Sequence, residues 1–182
     1  MMSINQRFTN FLPKIRALSV ACVVTLLAIT SQSAFSAARQ GPSGGTGGST
    51  FSDLAGANEV LELIQVRHGT AIDAVRLCFR NTSTGAFRFA PHRGGSGGTL
   101  YNISLAPGEK INYISGYYGD WGSIQVVRKL YVVTTSRVLS FGSTPAGSRY
   151  FRYSNPNLAS MNLDGLTGAS GALVDALGVY WE

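Results

Sequence analysis

The chain is 182 residues long and carries a formal net charge of +6, with 15 Lys and Arg against 9 Asp and Glu. Beyond the N-terminal 40 residues its arginines (67, 76, 80, 88, 93, 128, 137, 149 and 152) are scattered, which excludes the basic stripe of a nucleic-acid-binding protein. Of two cysteines, Cys22 lies in an N-terminal segment expected to be cleaved, so Cys78 has no intrachain partner and the fold must hold by packing.

Arg7, Lys14 and Arg16 precede an apolar run from Ala17 to Ile29, and Thr30 to Ala38 is small and polar, ending Ser36-Ala37-Ala38. That order predicts a secretory signal peptide over residues 1–38, cut after Ala38 or alternatively after Ser36. The apolar run falls short of the ~20 residues a membrane anchor needs, so no membrane span is expected after removal. Cleavage lowers the formal net charge from +6 to +3 and leaves residues 39–182, enough for one domain with a real core. The product is expected to be secreted or periplasmic, and the small-residue end of the leader is bacterial in style.

Strand signals dominate the rest. Val60 to Val66, Ala74 to Arg80, Lys110 to Ser115, Ile124 to Thr135 and Ala176 to Trp181 are rich in Val, Ile, Tyr and Phe and are bounded by turn residues. They predict an all-β sandwich, barrel or prism. Cys78, between Leu77 and Phe79, reads as a buried small hydrophobe.

The glycines are ordered. Gly44-Gly45-Thr46-Gly47-Gly48 recurs as Gly94-Gly95-Ser96-Gly97-Gly98, with a degraded version over Gly142 to Gly147. Alternating with these is a Gly-x-x-x-Asp pattern at Gly69 to Asp73, Gly116 to Asp120 and Gly171 to Asp175. Three such rounds suggest three similar β units about a pseudo-threefold axis. A Gly-rich tether accounts for Gln40 to Ser49 as well as a loop does, but fits the second tract badly because it lies between strands.

With these residues the chain resembles the jacalin-related lectins of the mannose-binding type, here as a bacterial secreted member. The likeness runs from Gly44 to Tyr180 and is carried by the ordered set, above all by the closing GLTGASGALVDALGVY of Gly165 to Tyr180. The resemblance implies a β-prism of three four-stranded Greek-key sheets. It implies a carbohydrate site formed by Gly44, Gly45, Gly47 and Gly48 facing Gly171, Ala172, Leu173 and Asp175. Some mannose-binding relatives have a second site, which here falls on Gly94, Gly95, Gly97 and Gly98 with Gly69, Thr70, Ala71 and Asp73.

Such groups suit a sugar. An ionised carboxylate accepts from two adjacent hydroxyls, turn N–H groups donate back, and a glycine loop lets main chain approach without a Cβ in the way. An isolated Gly-x-x-x-Asp reads first as a turn whose Asp bonds its own backbone. The paired loop and the strand-like continuation turn that reading around for Asp175 and leave Asp73 open between the two. Asp120, followed by Trp121-Gly122-Ser123, and the degraded third loop point to a structural third site.

Other chemistry is poorly supported. His68 and His92 flank the second site, but two histidines without a third ligand make a weak zinc case, so no metal or cofactor is expected and both read as solvated loop residues. Asp73 and Asp175 fall in different sites, unlike a glycosidase pair, and Ser170 has no nearby His in sequence. The expectation is a non-enzymatic, calcium-independent lectin for glycans or glycoconjugates. Mannose or glucose is favoured over galactose, because galactose-binding relatives line the site with aromatics where this turn has Ala172 and Leu173. Millimolar single-sugar affinity, ~4 kcal/mol, then calls for two sites or a homo-oligomer. The alternative is a β-prism adhesion or matrix-assembly module without sugar binding, using aromatics such as Tyr117, Trp121 and Tyr150. A toxin-associated targeting module is a weaker third reading.

Overall fold

The structure is a computed structural model that describes residues 37–182. The leader, apart from Ala37 and Ala38, lies outside the described residues.

Among the described residues there is no helix, and thirteen strands form three antiparallel sheets. The first joins β1 (Ala38–Gly44), β13 (Val174–Trp181), β12 (Leu163–Ser170) and β2 (Ser49–Leu54), in that order. In the second, β4 (Ile72–Asn81) and β3 (Glu59–His68) are central, β7 (Thr99–Ser104) is one edge, and β5 (Phe87–Phe89) with β6 (Arg93–Gly94) makes a broken other edge. The third joins β10 (Val138–Gly142), β9 (Ile124–Thr134), β8 (Ile111–Trp121) and β11 (Arg149–Ser154). Each sheet thus has a central hairpin flanked by outer strands, and the first is closed by both ends of the described chain. This is the three-sheet β-prism.

The sheets face a shared core because their strands alternate. Ile64 and Val66, Val75 and Leu77, Ile114, Leu130 and Val132, and Leu166, Leu177 and Val179 all point inward, with Trp181 at the end of the last strand. Cys78 is buried, and burial pushes its thiol up from its ordinary range.

The three hairpins are irregular at equivalent places. At one end a residue is squeezed out of register on β3, β8 and β12, namely Glu62, Asn112 and Asp164. At the other end the extra residue lies on the returning strand and is Asp73, Arg128 or Asp175. Bulges of this kind re-aim a side chain out of the alternating pattern, and here they give the pseudo-threefold its clearest expression.

Two expectations are corrected. Gln40 to Gly44 is no tether, because β1 pairs with β13 from Ala38↔Trp181 to Gly44↔Ala176. Gly116 to Asp120 is not a turn like the other two, because those residues continue β8 and pair with β9 as far as Trp121↔Ile124.

Candidate functional site

The three glycine loops and three hairpin turns gather at one end of the prism. The first loop crosses from β1 to β2, and the Gly45 N–H donates to Asp175 O at 2.8 Å. The second crosses from β6 to β7, and Gly95 N–H donates to Asp73 O at 3.0 Å. The third crosses from β10 to β11, and Ser143 N–H donates to Arg128 O at 3.0 Å. The loops also abut the next turn around the axis: Gly45 lies against Gln125, Gly95 against Ala172, and Ser143 Oγ donates to Thr70 O at 2.6 Å.

These contacts need glycine. Gly44 has φ +145° and is packed on the Asp175 and Ala176 backbone, and Gly48 has φ +67°, a left-handed conformation that a Cβ disfavours. Gly94 and Gly98 repeat the pattern with φ +117° and +63°.

At the first site the loop closes directly over the carboxylate. A Cβ on Gly47 would lie 2.7 Å from Asp175 Oδ1, and one on Gly48 would lie 2.5 Å from Oδ2. Gly171, across the turn, stands 3.7 Å from the same Oδ2 by the same measure. Asp175 is only 3% exposed, and its Oδ2 makes no hydrogen bond among the described residues. Burial pushes its carboxyl above the usual Asp range, countered by N–H groups of Gly171 and Asp175 itself. The turn is held shut by Gly171 N–H donating to Leu173 O at 2.9 Å. β1 is pinned from below, where the Tyr153 hydroxyl lies 2.7 Å from Ser43 Oγ and 3.1 Å from Leu177 O.

The second site repeats this frame with a more open carboxylate, since Asp73 is half-buried. Gly97 and Gly98 crowd Asp73, and Gly69 N–H donates to Ala71 O at 3.1 Å across the turn. Sequence reading missed the ties that hold this loop. Arg67 Nη1 donates to the carbonyls of Ser96, Gly97 and Gly98 at 2.9 to 3.0 Å. Arg93 grips Asp53 of β2 with two bonds of 2.8 and 2.6 Å. All the predicted loop and turn residues are therefore brought together in two separate places, one around each Asp.

The third place is changed in kind. Its carboxylate position is taken by Arg128, not by Asp120, because the hairpin continues past the point where the other two turn. Arg128 donates from Nη1 to Asp120 O and stacks 4.8 Å from the Trp121 ring, a cation over an aromatic face. The bulge position thus holds a cation, and the exposed Asp120 carboxylate beside it accepts from Gln125 Nε2 at 3.2 Å, which supplies the physical reason for a different third site.

The histidines separate. His92 is exposed with Nε2 2.8 Å from Gly95 O. His68 is not a solvated loop residue: it ends β3, accepts from Gly142 N–H at 3.4 Å on Nδ1 and packs 5.1 Å from the Phe141 ring. Among the described residues no three His, Cys, Asp or Glu side chains gather as a metal site, and no helix is long and apolar enough to cross a membrane. Of the aromatics, Phe151 and Tyr153 are core, whereas Trp121 and Tyr150 are exposed, with Tyr150 5.3 Å from Tyr117.

Comparison with known proteins agrees with this geometry. The jacalin-like lectin domain family matches residues 40–180. The human zymogen granule membrane protein 16 is 31% identical, with 91% of this chain and 94% of that protein covered. A mannose/glucose-specific lectin of Parkia pendula is 33% identical over 77% of this chain and 31% of that longer protein. Among solved structures, a mannose binding jacalin related lectin from Ananas comosus superposes with a TM-score of 0.69 at 29% identity, covering 80% of this chain and 96% of that one. The chain belongs to the jacalin-like lectin family, whose members are non-catalytic carbohydrate-binding proteins.

Proposed function

We propose that the protein is an exported lectin that binds a mannose- or glucose-type residue between Gly44–Gly48 and the Gly171–Asp175 turn. The observation that carries this reading is Asp175 Oδ2, a buried carboxylate oxygen that makes no hydrogen bond among the described residues and lies under a loop of glycines. A buried polar atom left unpaired costs free energy of ~1–3 kcal/mol or more when charged. A sugar hydroxyl supplies the missing donor, and adjacent N–H groups of the turn supply bonds in return. Ala172 and Leu173 put no aromatic ring on the last turn. The mannose-binding and mannose/glucose-specific descriptions of the pineapple and Parkia lectins support the same sugars.

Asp73 with Gly94–Gly98 serves as a second site of the same chemistry, and two sites on one chain, or a homo-oligomer, raise weak single-sugar affinity into useful avidity. Convergence of loop and turn favours this reading over a β-prism used only for adhesion or matrix assembly. Export rests on the leader, with residues 39–182 as the mature chain; N-terminal sequencing of protein from the periplasm and medium tests the cut and the destination. The function is tested on a glycan array, with and without chelator, comparing wild type with Asp175→Ala. Mannose-type signals that survive the chelator and fall in the variant are expected; unchanged signals in the variant contradict the site.

A further inference from the structure

A cavity of about 270 Å³ lies beside the second glycine loop on the second sheet. Ile64 and Val66 of β3 point into the core, so the alternate residues Gln65 and Arg67 face the other way and line this cavity. Arg76, opposite Gln65 on β4, shares that face, and the small Ala74 opposite Arg67 leaves it room. His92 completes the polar wall, and no Asp or Glu lines the space.

The chain from Ala90 to Gly98 arches over one side and holds these cations by its carbonyls. Arg76 Nε donates to Ala90 O at 2.9 Å, while Arg67 spends only Nη1 on the loop carbonyls. A guanidinium carries five N–H donors. Arg67 Nε and Nη2 and both Nη groups of Arg76 therefore make no hydrogen bond among the described residues. The ion pairs among the described residues use Arg80, Arg88, Arg93 and Arg137, so neither cavity arginine has a carboxylate partner. By contrast, the cavity of about 550 Å³ at the opposite end of the strands is lined by Glu59, Glu109, Asp164 and Glu182.

Two guanidinium groups with unspent N–H donors, Arg76 also stacked 4.6 Å from the Phe89 ring, stand with a histidine in one concave space and match a planar or tetrahedral oxyanion. We propose that this cavity binds an oxyanion, a sulfate, phosphate or carboxylate group. The group arrives either as a substituent on a glycan or as a free inorganic ion. This site is separate from Asp175 and stands whether or not Asp175 binds a sugar.

The test is an NMR titration of the purified protein, read at the His92 ring and the Gly95 to Gly98 amides. Inorganic sulfate is one probe, with chloride at equal ionic strength as its control. Methyl 6-O-sulfo-α-mannoside is the second probe, with the unsulfated mannoside as its control. Saturable shifts with inorganic sulfate support a free-ion site, and shifts with the sulfated sugar beyond its neutral control support a glycan substituent. Arg76→Gln is expected to weaken either by at least ~10-fold, and Arg76→Lys, which keeps the charge but loses the fork, by a smaller factor. No saturable response in wild type to either probe overturns the proposal, as does unchanged affinity in a folded Arg76→Gln protein. Mannoside shifts around Asp175 are read separately, so failure of one site is not mistaken for failure of the other.

Discussion

Gly47 stands over Asp175 so closely that a Cβ on the glycine would lie 2.7 Å from the carboxylate Oδ1. The loop has thus been shaped around the acid, and any side chain at Gly47 must displace the group proposed to receive the sugar. Gly47→Ala is predicted to lower mannoside affinity by at least ~10-fold. Thermal unfolding should shift far less, because the strain falls on one side chain. A titration calorimeter and a melting curve check both halves. Gly48→Ala should do worse on both, since Gly48 adds a φ of +67° and a clash with the Ser170 backbone.

The titration of Asp175 gives a prediction of definite sign. Burial raises its carboxyl above the ordinary 3.8, so the acid takes up its proton at a higher pH than an exposed Asp. Mannoside binding should therefore fall on acidification with a midpoint above that ordinary value. Because ionisation of a raised acid opposes folding at neutral pH, Asp175→Asn should bind weakly yet unfold at a higher temperature than wild type at pH 7. Parallel binding and melting curves across pH check the pair of effects.

Arg128 occupies the bulge that holds Asp73 and Asp175 in the other two sheets. Its bond to Asp120 O and its stacking on Trp121 make it a brace for the long β8–β9 hairpin. Arg128→Ala is predicted to cost about 1–2 kcal/mol of stability in urea unfolding and to leave mannoside affinity unchanged. A large loss of affinity in that variant contradicts a purely structural part for the third position.

At the far end, Asp164 and the paired acids pull stability in opposite directions. Burial, then the charge of Glu182, raises Asp164 to about 6, so its ionisation weakens the fold as pH rises from about 4 through 6. Glu59 and Glu109 are lowered to about 2, mainly by hydrogen bonds from Arg88 and Arg137. Their contribution is present above 4.5 and disappears as pH falls toward 2. Stability should peak near pH 4 to 5. Asp164→Asn should add about 1 kcal/mol at pH 7, a figure reduced for the partial solvent exposure of the group. Melting temperature against pH for both proteins checks the shape.

Much of this was legible in the residues, with a clear physical limit. The central strands β3, β4, β8, β9 and β13 read from their Val, Ile, Tyr and Phe content because they bury side chains against the core. Outer strands such as β2 (STFSDL) and β7 (TLYNIS) did not, since half or more of their residues face solvent. β12 (LDGLTGAS) lacks that signal for another reason: Gly165 and Gly168 sit against neighbouring backbone, where a side chain has no room. The two double-glycine loops and the Asp73 and Asp175 turns were readable because turn geometry is local. Arg128 was not, because which residue occupies a bulge depends on pairing register across the hairpin. The Arg67 and Arg93 ties join segments distant in sequence and have no local signature.

The most direct measurement is a titration of methyl α-mannoside into wild type and Asp175→Asn, read by amide chemical shifts. Saturable, millimolar-range shifts centred on Gly45 to Gly48 and Gly171 to Asp175 are expected in wild type. Those shifts should be absent in the variant, while the Gly95 to Gly98 amides still respond. Equal affinity at the Asp175 site in both proteins, or no response there in wild type, contradicts the proposed site.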